Sequence, residues 1–349
     1  MMTSDQELYR LQRVEECFPV LLTHVSYLRT VGYSLRAAAD REHGGGTVMG
    51  RYEVKAMLKA VERYKVTHLF VVPPVVLQLS REKETVKGYD VSTLREILSG
   101  AAPLGKDMVQ ACSDIFPEAV VCQAYGMTEA TRVISIENRR MRSPHGGSVG
   151  ALAPGVEAQI VDLETMLMGP ATTNYYNYRL LLRVAIGCDG SPLVRKARYG
   201  LKAPRVLMKG YLNNEKATTE VIDEGEWLHT GDVGYFDEEG RLYVVDRVKE
   251  LIKYKGFQVA PAELEELLIT HPQIMDAAVI GLDDAEAGEI PIAYVVRSSL
   301  STLTTLQVQQ FIAEQVAPFK RVIFVKDIPR SNTGKILRNL LRQKLEPKL

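Results

Sequence analysis

The residues most able to do chemistry lie in a basic run in the second half of the sequence. The stretch DRVKELIKYKG, residues 246–256, contains four basic and two acidic side chains and ends on a glycine. Lys253 supplies a positive charge, and Gly256 lets the backbone approach a bulky ligand closely. A phosphate-binding loop has this composition, but so does a solvated turn with charged flanks. On this run alone both interpretations stand.

A second stretch, QAYGMTEA at residues 123–130, places a hydroxyl beside a carboxylate at the end of an apolar strand. The Thr128 hydroxyl can donate to a phosphate oxygen. The Glu129 carboxylate can hold a Mg²⁺ ion that bridges such oxygens. The alternative is that the Thr-Glu pair only starts a helix.

Two further stretches offer a carboxylate and a cation. WLHTGDVGYFDEEGRLYVVDR places Asp232 in a glycine-bounded turn and Arg247 at the end of a strand. A carboxylate in a turn can accept hydrogen bonds from two ribose hydroxyls, whereas the alternative is an Asx-turn with a surface ion pair. IPRSNTGKILR, residues 328–338, places Lys335 in a polar loop just before a helix. That lysine can reach a phosphate or a carboxylate, although lysines at helix starts commonly have no such role.

The elements around these stretches predict a mostly parallel sheet. Apolar residues have helical spacing from Val54 to Val61, and strands predicted in THLFVVPPVV, LREILSGAAPLG and EAVVCQAYGMTEA alternate with helices. This pattern is typical of an α/β sheet that binds ligands at the carboxyl ends of its strands. Residues 145–165 and 226–246 instead have short strands and glycine-rich turns, typical of a small barrel or an antiparallel sheet.

The pattern changes after Asp246. There PAELEELLITHP, LQVQQFIAEQV and GKILRNLLRQKL predict helices, while DAAVIGL, PIAYVVRS and RVIFVKDIP predict strands. About one hundred residues with their own apolar faces can form a separate α+β domain. We therefore predict a partial large domain at 51–246 and a small C-terminal domain at 247–349. Residues 1–50 match neither pattern well, and 167–203 are predicted to be an atypical insertion.

The composition fits a globular protein with no electrostatic preference for a polyanion. The chain has 349 residues, with 43 Lys plus Arg and 43 Asp plus Glu, so its net charge is zero. This balance gives no general affinity for nucleic acid or for an anionic membrane surface. The sequence has no apolar run long enough to span a bilayer, and its four cysteines form no CxxC pair. We expect an intracellular protein in a reducing compartment, of unknown oligomeric state.

Taken together, in this order and spacing, these stretches resemble the adenylate-forming superfamily of acyl-CoA synthetases, in particular 4-coumarate:CoA ligase and its relatives. The resemblance extends over about residues 48–166 and 204–349 and includes SGAAPLGK, GSVGALAPGVEAQIVD, MKGYLNNEKAT and HTGDVGYFDEEG. It implies an α/β large domain, with a mostly parallel sheet and a small β-barrel-like part, followed by a small α+β domain. It also implies that ATP and a small carboxylic acid form an acyl-adenylate, from which the thiol of CoA displaces AMP. The implied cofactors are ATP, Mg²⁺ and CoA.

The resemblance also implies a role for each motif residue. In the family the basic run joins the two domains, and the small domain rotates between the two half-reactions. The implied catalytic residues are Lys335 for adenylation, Lys253 for thioester formation and Lys249 at the hinge. The implied nucleotide and CoA contacts are Thr128, Asp232, Arg247, Gln258, Gly256, Tyr125 and Gly126. The implied acid-binding residues are Gly100, Ala101 and Ala124, and the implied Mg²⁺ ligand is Glu129.

The sequence departs from the family pattern in several places. The family's phosphate loop, of the form SSGTTGxPKG, is absent upstream of His24, which only faintly matches an acid-pocket histidine. Ala124 stands where the family usually has glycine, and 167–203 replaces a strand that carries a family signature. Because the loop's contacts to the β- and γ-phosphates are missing, we expect this chain to catalyse adenylation poorly. Two alternatives to a CoA ligase remain: a truncated, impaired paralogue that only binds nucleotide or CoA, and another adenylating enzyme such as a luciferase-like oxygenase.

The last three residues, Pro-Lys-Leu, differ by one residue from the Ser-Lys-Leu peroxisomal signal. Leucines from Leu337 to Leu345 predict an apolar helix face, which Pro347 ends. A tail that follows such a helix end is exposed to a receptor. We predict a peroxisomal location, with the cytoplasm as the alternative.

Overall fold

The computed structural model contains two compact units. The first comprises Met1–Thr230 with Gly234–Val244, and the second comprises Gly231–Val233 with Val245–Leu349. The structure describes residues 8–10, 37–39, 45–49, 52–130, 133–137, 146–153, 156–162, 180–185, 207–225, 227–313, 321–331 and 334–343. His24, the Pro-Lys-Leu tail and most of 167–203 lie outside these ranges, so what the sequence predicts for them stays a prediction.

The described residues form a mixed α/β structure. In chain order the strands are β1 (Leu8–Arg10), β2 (Ala37–Ala39), β3 (Gly45–Met49), β4 (His68–Val71), β5 (Glu96–Ser99), β6 (Val120–Gly126), β7 (Val133–Ile136), β8 (Ala151–Leu152), β9 (Glu157–Asp162), β10 (Leu180–Ala185), β11 (Trp227–Phe236), β12 (Leu242–Arg247), β13 (Ile252–Tyr254), β14 (Phe257–Val259), β15 (Ile274–Asp284), β16 (Gly288–Arg297) and β17 (Arg321–Phe324). The helices are α1 (Val54–Tyr64), α2 (Pro73–Arg81), α3 (Lys83–Lys87), α4 (Lys106–Ser113), α5 (Glu215–Val221), α6 (Pro261–Thr270), α7 (Thr305–Ala313) and α8 (Arg338–Gln343). Short 3₁₀ turns follow β6 at Thr128–Ala130 and β12 at Val248–Glu250.

Helix α1 illustrates how local sequence sets these elements. Its buried face contains Val54 and Val61, as the helical spacing predicts. The Glu53 side chain accepts hydrogen bonds from two amides of the first turn and caps the helix. Pro73 then ends β4 and occupies the first position of α2, where its missing amide hydrogen has no cost. Apolar side chains of α1, α2 and α4 pack with those of β4, β5 and β6 in one core.

The main sheet of the first unit has the order β1-β3-β2-β4-β5-β6-β7-β8. Its centre is parallel, since β4 pairs with β5 and β5 with β6 in the same direction. The other pairs are antiparallel, so the prediction of a mostly parallel sheet is wrong outside the centre. The link from β6 to β7 is only a short turn, whereas a parallel return needs a crossover of about a dozen residues.

A second sheet has the order β12-β11-β10-β9, in the region where the sequence predicts antiparallel pairing. Strands β9 and β10 pair antiparallel, from Leu180 opposite Asp162 to Ala185 opposite Glu157. Strand β10 lies inside 167–203, the segment predicted to be an atypical insertion. The apolar run RLLLRVA carries a strand signal, which polar and glycine-rich flanks obscure.

The second unit is a small α+β domain, and apart from Gly231–Val233 it begins at Val245, close to the predicted start at residue 247. Its sheet has the order β14-β13-β16-β15, and β17 pairs parallel to β16. The predicted order of helices and strands from α6 onward is confirmed, but strands β13 and β14 were not predicted. Helix α8 begins at Arg338, later than predicted, because Gly334 has φ +81° and Arg330 forms a bridge with Ile336.

Candidate active site

The end of β6 and the turn after it carry Tyr125, Gly126, Thr128 and Glu129 as one continuous segment. The four residues are half-buried, so each can be reached from solvent. The backbone of the turn is fixed at Glu129, whose carbonyl oxygen accepts a hydrogen bond from the Met208 amide (2.8 Å). This segment therefore presents a hydroxyl and a carboxylate at the carboxyl edge of the sheet.

Tyr211 holds the side chain of Glu129. Its hydroxyl donates to Glu129 Oε1 (3.1 Å), and its own amide donates to Thr218 Oγ1 (2.9 Å). Sequence reasoning did not assign Tyr211 a role, although the residue lies in the quoted stretch MKGYLNNEKAT. The two residues of the pair are 82 positions apart, and no local pattern predicts such a contact.

The three predicted acid-binding residues lie at the carboxyl ends of β5 and β6. A Cβ atom on Gly100 would lie 3.5 Å from the carbonyl oxygen of Ala124, so the two backbones are close. Ala101 is exposed and has φ +75°, a left-handed conformation that strains a residue with a side chain. Ala124 is buried and packs with Leu98, Cys122 and Val133. Its methyl group therefore belongs to an apolar cluster, which accounts for the departure from glycine at this position.

Gln123 and Glu137 fix the same end of β6, and neither was predicted. The buried Gln123 side chain accepts from the Leu104 amide (2.8 Å) and donates to the carbonyl oxygens of Leu104 and Ser148 (both 3.0 Å). Glu137 Oε2 accepts from the Gln123 amide (2.7 Å). Burial raises the pKa of Glu137 to about 7, although this hydrogen bond and the nearby Arg241 guanidinium act in the opposite direction.

Asp232 on β11 and Arg247 at the end of β12 form an ion pair. Arg247 Nε lies 3.3 Å from Asp232 Oδ1, with the carboxylate almost fully buried and the guanidinium exposed. Gly231 has φ +70°, and a Cβ atom there would meet no atom of the described residues within 4 Å. The pair thus offers an acceptor and a donor beside open space, as binding of a ribose with its phosphate requires.

Asp246 anchors the chain just before the predicted hinge. Its carboxylate accepts from the amides of Arg247 (2.7 Å) and Ala262 (2.9 Å), the second of which lies in the first turn of α6. Burial raises the pKa of Asp246, and these two hydrogen bonds oppose the shift. Lys249 follows in the 3₁₀ turn and is exposed.

The end of the basic run is a hairpin between β13 and β14. Lys253 is opposite Gln258 in its register, and Tyr254 is opposite Phe257. The two residues between the strands, Lys255 and Gly256, have φ +49° and +81°, as a two-residue turn with both residues left-handed requires. The run is therefore neither a helix nor a simple loop. The glycine closes a turn.

Two groups of this hairpin could contact a ligand. The Lys253 side chain is exposed, and its amide donates to Glu289 Oε2 (2.6 Å), which ties β13 to β16. Among the described residues, the buried amide oxygen of Gln258 has no hydrogen-bond partner. Buried polar groups are normally paired, so this amide suits a ligand that supplies the partner.

Lys335 lies in a compact turn before α8. The Ser331 amide donates to the Lys335 carbonyl oxygen (2.8 Å), and the Lys335 amide donates to Ser331 Oγ (3.2 Å). The Lys335 side chain is exposed. The three predicted catalytic lysines thus lie on separate elements: Lys249 on a 3₁₀ turn, Lys253 on a strand and Lys335 on this turn.

The donor set at Glu129 suits a Mg²⁺ ion that arrives with a nucleotide. Mg²⁺ in such sites is bound by one or two carboxylates, with waters and phosphate oxygens as the remaining ligands. Glu129 supplies one carboxylate, whose orientation Tyr211 fixes. In the part of the chain that the structure describes, no three His, Cys, Asp or Glu side chains form a group that could hold a metal. Over the same part, no helix is long and apolar enough to cross a bilayer.

Comparison with protein families identifies both units. The profile of the AMP-binding enzyme family matches residues 42–173, and that of the AMP-binding enzyme C-terminal domain matches residues 263–335. A probable CoA ligase of Humulus lupulus, CCL5, is 43% identical over 295 residues, which are 83% of this chain and 49% of the relative. The 4-coumarate–CoA ligase 1 of Arabidopsis thaliana is 42% identical over 304 residues, 85% of this chain and 50% of the relative. The chain spans about half the length of the curated relatives it matches.

Solved structures of other proteins are also similar to this chain. The ATP-bound MatB of Rhodopseudomonas palustris is 29% identical, with a TM-score of 0.68 over 85% of this chain and 54% of that one. The o-succinylbenzoate CoA synthetase of Bacillus subtilis, in complex with its acyl-adenylate, is 26% identical, with a TM-score of 0.66 over 84% and 54%. The chain belongs to the AMP-binding, adenylate-forming superfamily, and its sequence is similar to those of 4-coumarate:CoA ligases.

Proposed function

We propose that the protein is an ATP-dependent carboxylic acid:CoA ligase, which forms an acyl-adenylate and then a CoA thioester. The observation that carries this proposal is the pairing of Asp232 with Arg247 beside the open space at Gly231. A buried carboxylate can accept both ribose hydroxyls, and the exposed guanidinium can donate to an oxygen of the same nucleotide. The similarity to CoA ligases supports thiol acceptance as the second step.

In the first half-reaction, an oxygen of the acid's carboxylate attacks the α-phosphorus of ATP, and pyrophosphate leaves. In this proposal the exposed Lys335 ammonium neutralises the charge shared by the carboxylate and the α-phosphate. Thr128 donates its hydroxyl to a phosphate oxygen. The amide oxygen of Gln258, which has no partner among the described residues, can accept a hydrogen bond from a donor on the ligand. Glu129 would hold Mg²⁺, which when bound neutralises the phosphate oxygens. Each fixed donor of this kind contributes about 3 to 4 kcal/mol to transition-state stabilisation.

In the second half-reaction, the thiol of CoA loses its proton to solvent, its sulfur bonds to the acyl carbonyl carbon, and AMP leaves as that carbon's bond to the phosphate oxygen breaks. The β13–β14 hairpin supplies the groups for this step. Gly256 leaves its backbone open to a ligand, because no atom of the described residues lies within 4 Å of the position a Cβ would take. The Lys253 ammonium projects from the neighbouring strand. These groups stabilise charge on the departing nucleotide and the incoming thiol.

We further propose a 4-coumarate-like phenylpropanoid or a fatty acid as the substrate. The support is the identity of about 42% to 4-coumarate:CoA ligases of several plants. The carboxyl ends of β5 and β6, at Gly100 and Ala124, form the wall nearest the carboxylate. The left-handed backbone at Ala101 gives that wall its shape.

The proposal is tested by nucleotide binding followed by turnover, in the protein purified as its gene encodes it. We expect AMP binding in a calorimeter, and weakening of roughly tenfold or more in Asp232→Asn, which removes a charged hydrogen-bond acceptor. Asp283→Asn, an exposed aspartate on β15, is the matched control and leaves AMP binding unchanged.

Turnover is then measured with ATP, Mg²⁺, CoA and a panel of cinnamates and fatty acids. Release of AMP together with a CoA thioester from at least one acid is the expected result. AMP binding without any thioester, even from a supplied acyl-adenylate, would identify a binding module instead. Absence of AMP binding and of turnover would refute both readings.

A further inference from the structure

The turn that carries Lys335 is tied to the sheet by one guanidinium. Arg330 Nη1 donates to the carbonyl oxygen of Gly334 (2.8 Å), and Arg330 Nη2 donates to Asp276 Oδ1 (2.7 Å). That carbonyl belongs to the peptide that joins Gly334 to Lys335. The contact therefore restricts rotation of the peptide from which the lysine projects.

The anchor of this contact is partly buried and makes a second hydrogen bond. Asp276 lies on β15, and its Oδ1 also accepts from the Ala277 amide (2.9 Å). The side chains of Arg330 and Asp276 are only 17% and 27% exposed. Ion pairs with this degree of burial are less screened by salt than pairs on the open surface. A continuous path of charge-assisted contacts thus leads from β15 to the backbone of Lys335.

Other hydrogen bonds lie within the turn. Ser331 and Lys335 bond to each other, and the Leu337 amide donates to the Pro329 carbonyl oxygen (2.8 Å). These contacts close the turn on itself. Without the guanidinium of Arg330 the turn keeps these contacts but loses its ion pair with Asp276 on β15.

We propose that Arg330, anchored on Asp276, is a positioning residue that orients Lys335 for acyl-adenylate formation. The proposal rests on the proposed function, because it takes Lys335 as the catalytic lysine of that step. A lysine has a flexible four-carbon stem, so its charge is well placed only if its backbone is fixed. A displacement of about 1 Å at a reacting group can lower a rate roughly a hundredfold.

The first test measures hydrogen exchange of the amides in residues 331–337 by mass spectrometry. In Arg330→Met, which keeps the aliphatic stem, we expect exchange to be about tenfold faster, because a charge-assisted contact no longer opposes opening. Arg330→Lys, which retains a donor, should recover part of the protection. Arg297→Met is the matched control: that arginine donates to the Leu303 carbonyl oxygen (2.8 Å) and stacks on Phe324, and its removal should leave the Lys335 turn unchanged.

The second test separates the half-reactions. Arg330→Met should lower acyl-adenylate formation by roughly tenfold or more, leave thioester formation from supplied acyl-adenylate unchanged, and recover partly in Arg330→Lys. Equal losses in both half-reactions, or equal behaviour of Arg330→Met and Arg297→Met, would overturn the positioning role. A wild-type protein that forms no acyl-adenylate would overturn the proposed function and with it the role of Lys335. In that case unchanged exchange in Arg330→Met would separately show that Arg330 does not hold the turn.

Discussion

The two lysine-bearing turns of the small unit are built in different ways. The hairpin next to Lys253 is held by strand pairing, since β13 pairs with β14 on one side and β16 on the other. The turn at Lys335 is closed by local hydrogen bonds, and the Arg330 side chain ties it to Asp276 on β15. Both turns contain a glycine with φ +81°, Gly256 and Gly334. They share a backbone conformation but not the forces that maintain it.

This difference predicts which substitutions will change the direction of each lysine side chain. A side chain on a strand has its direction set by the pleat, because successive residues point to opposite faces. Distant substitutions therefore affect the Lys253 direction little. A lysine on an irregular turn has no such constraint, and its direction depends on contacts made far away in the sequence. Substitutions near Arg330 or Asp276 should therefore change Lys335 selectively.

The largest expected effect is the separation of the two lysines by half-reaction. Lys335→Ala should lower acyl-adenylate formation roughly a hundredfold or more, because it removes a fixed charge that stabilises the transition state. Thioester formation from supplied acyl-adenylate should be nearly unaffected. Lys253→Ala should show the reverse pattern. Each step is measured in single-turnover assays, with the exposed Lys326→Ala as control.

If both lysine variants lose both half-reactions to the same extent, the two turns act as one site. The division of labour between them would then be wrong. A loss in Lys326→Ala would point instead to a general dependence on positive charge.

The strands and helices around the site could be predicted where the residues that determine them lie within a few positions of one another. The helical spacing after Glu53 and the prolines after β4 each act within a few residues. The sequence did not predict the hairpin at Lys255 and Gly256. The strand on each side has only three residues, and charged residues weaken its apolar pattern. Recognition of the family located the motif residues, but not the groups that hold them.

Those holding groups were unpredictable for a physical reason. Arg330 and Asp276 are 54 positions apart, and Tyr211 and Glu129 are 82 apart. Such contacts form only after strands have paired and turns have docked, so no short pattern encodes them. The same holds for Gln123, whose amide joins β6 to two separate loops.

A second prediction concerns the buried ion pair behind the Lys335 turn. Arg338, the first residue of α8, donates to Glu265 Oε1 on α6 (2.7 Å). Burial raises the pKa of Glu265 from 4.5 to about 7, although Arg338 and the Val279 amide lower it. Because the folded pKa exceeds the unfolded one, Glu265 favours the folded state at acid pH. This contribution is lost as the pH rises from about 4.5 to about 7.

The measurement is urea unfolding of the wild type and Glu265→Gln at about pH 5 and about pH 8. The stability of the wild type relative to the variant should fall by on the order of 2 kcal/mol across this interval. Glu263→Gln, an exposed residue on the same helix, should show no such dependence. A wild-type advantage that grows with pH would mean that Arg338, not burial, dominates the environment of Glu265.

The smallest expected effect tests whether the hairpin depends on backbone conformation alone. Gly256→Ala should destabilise the small unit by about 1 to 2 kcal/mol, because an L-residue is strained at φ +81° while the added methyl meets no described atom. Gly240→Ala is the matched control, since Gly240 has φ +74° and equally open surroundings in the turn between β11 and β12. Both variants should lose similar stability in urea, but only Gly256→Ala should speed amide exchange in β13 and β14 and slow thioester formation. If Gly256→Ala leaves exchange and stability at wild-type values, the turn can adopt another conformation at little cost. Lys253 would then need an anchor besides strand pairing, and the contrast with the Lys335 turn would disappear.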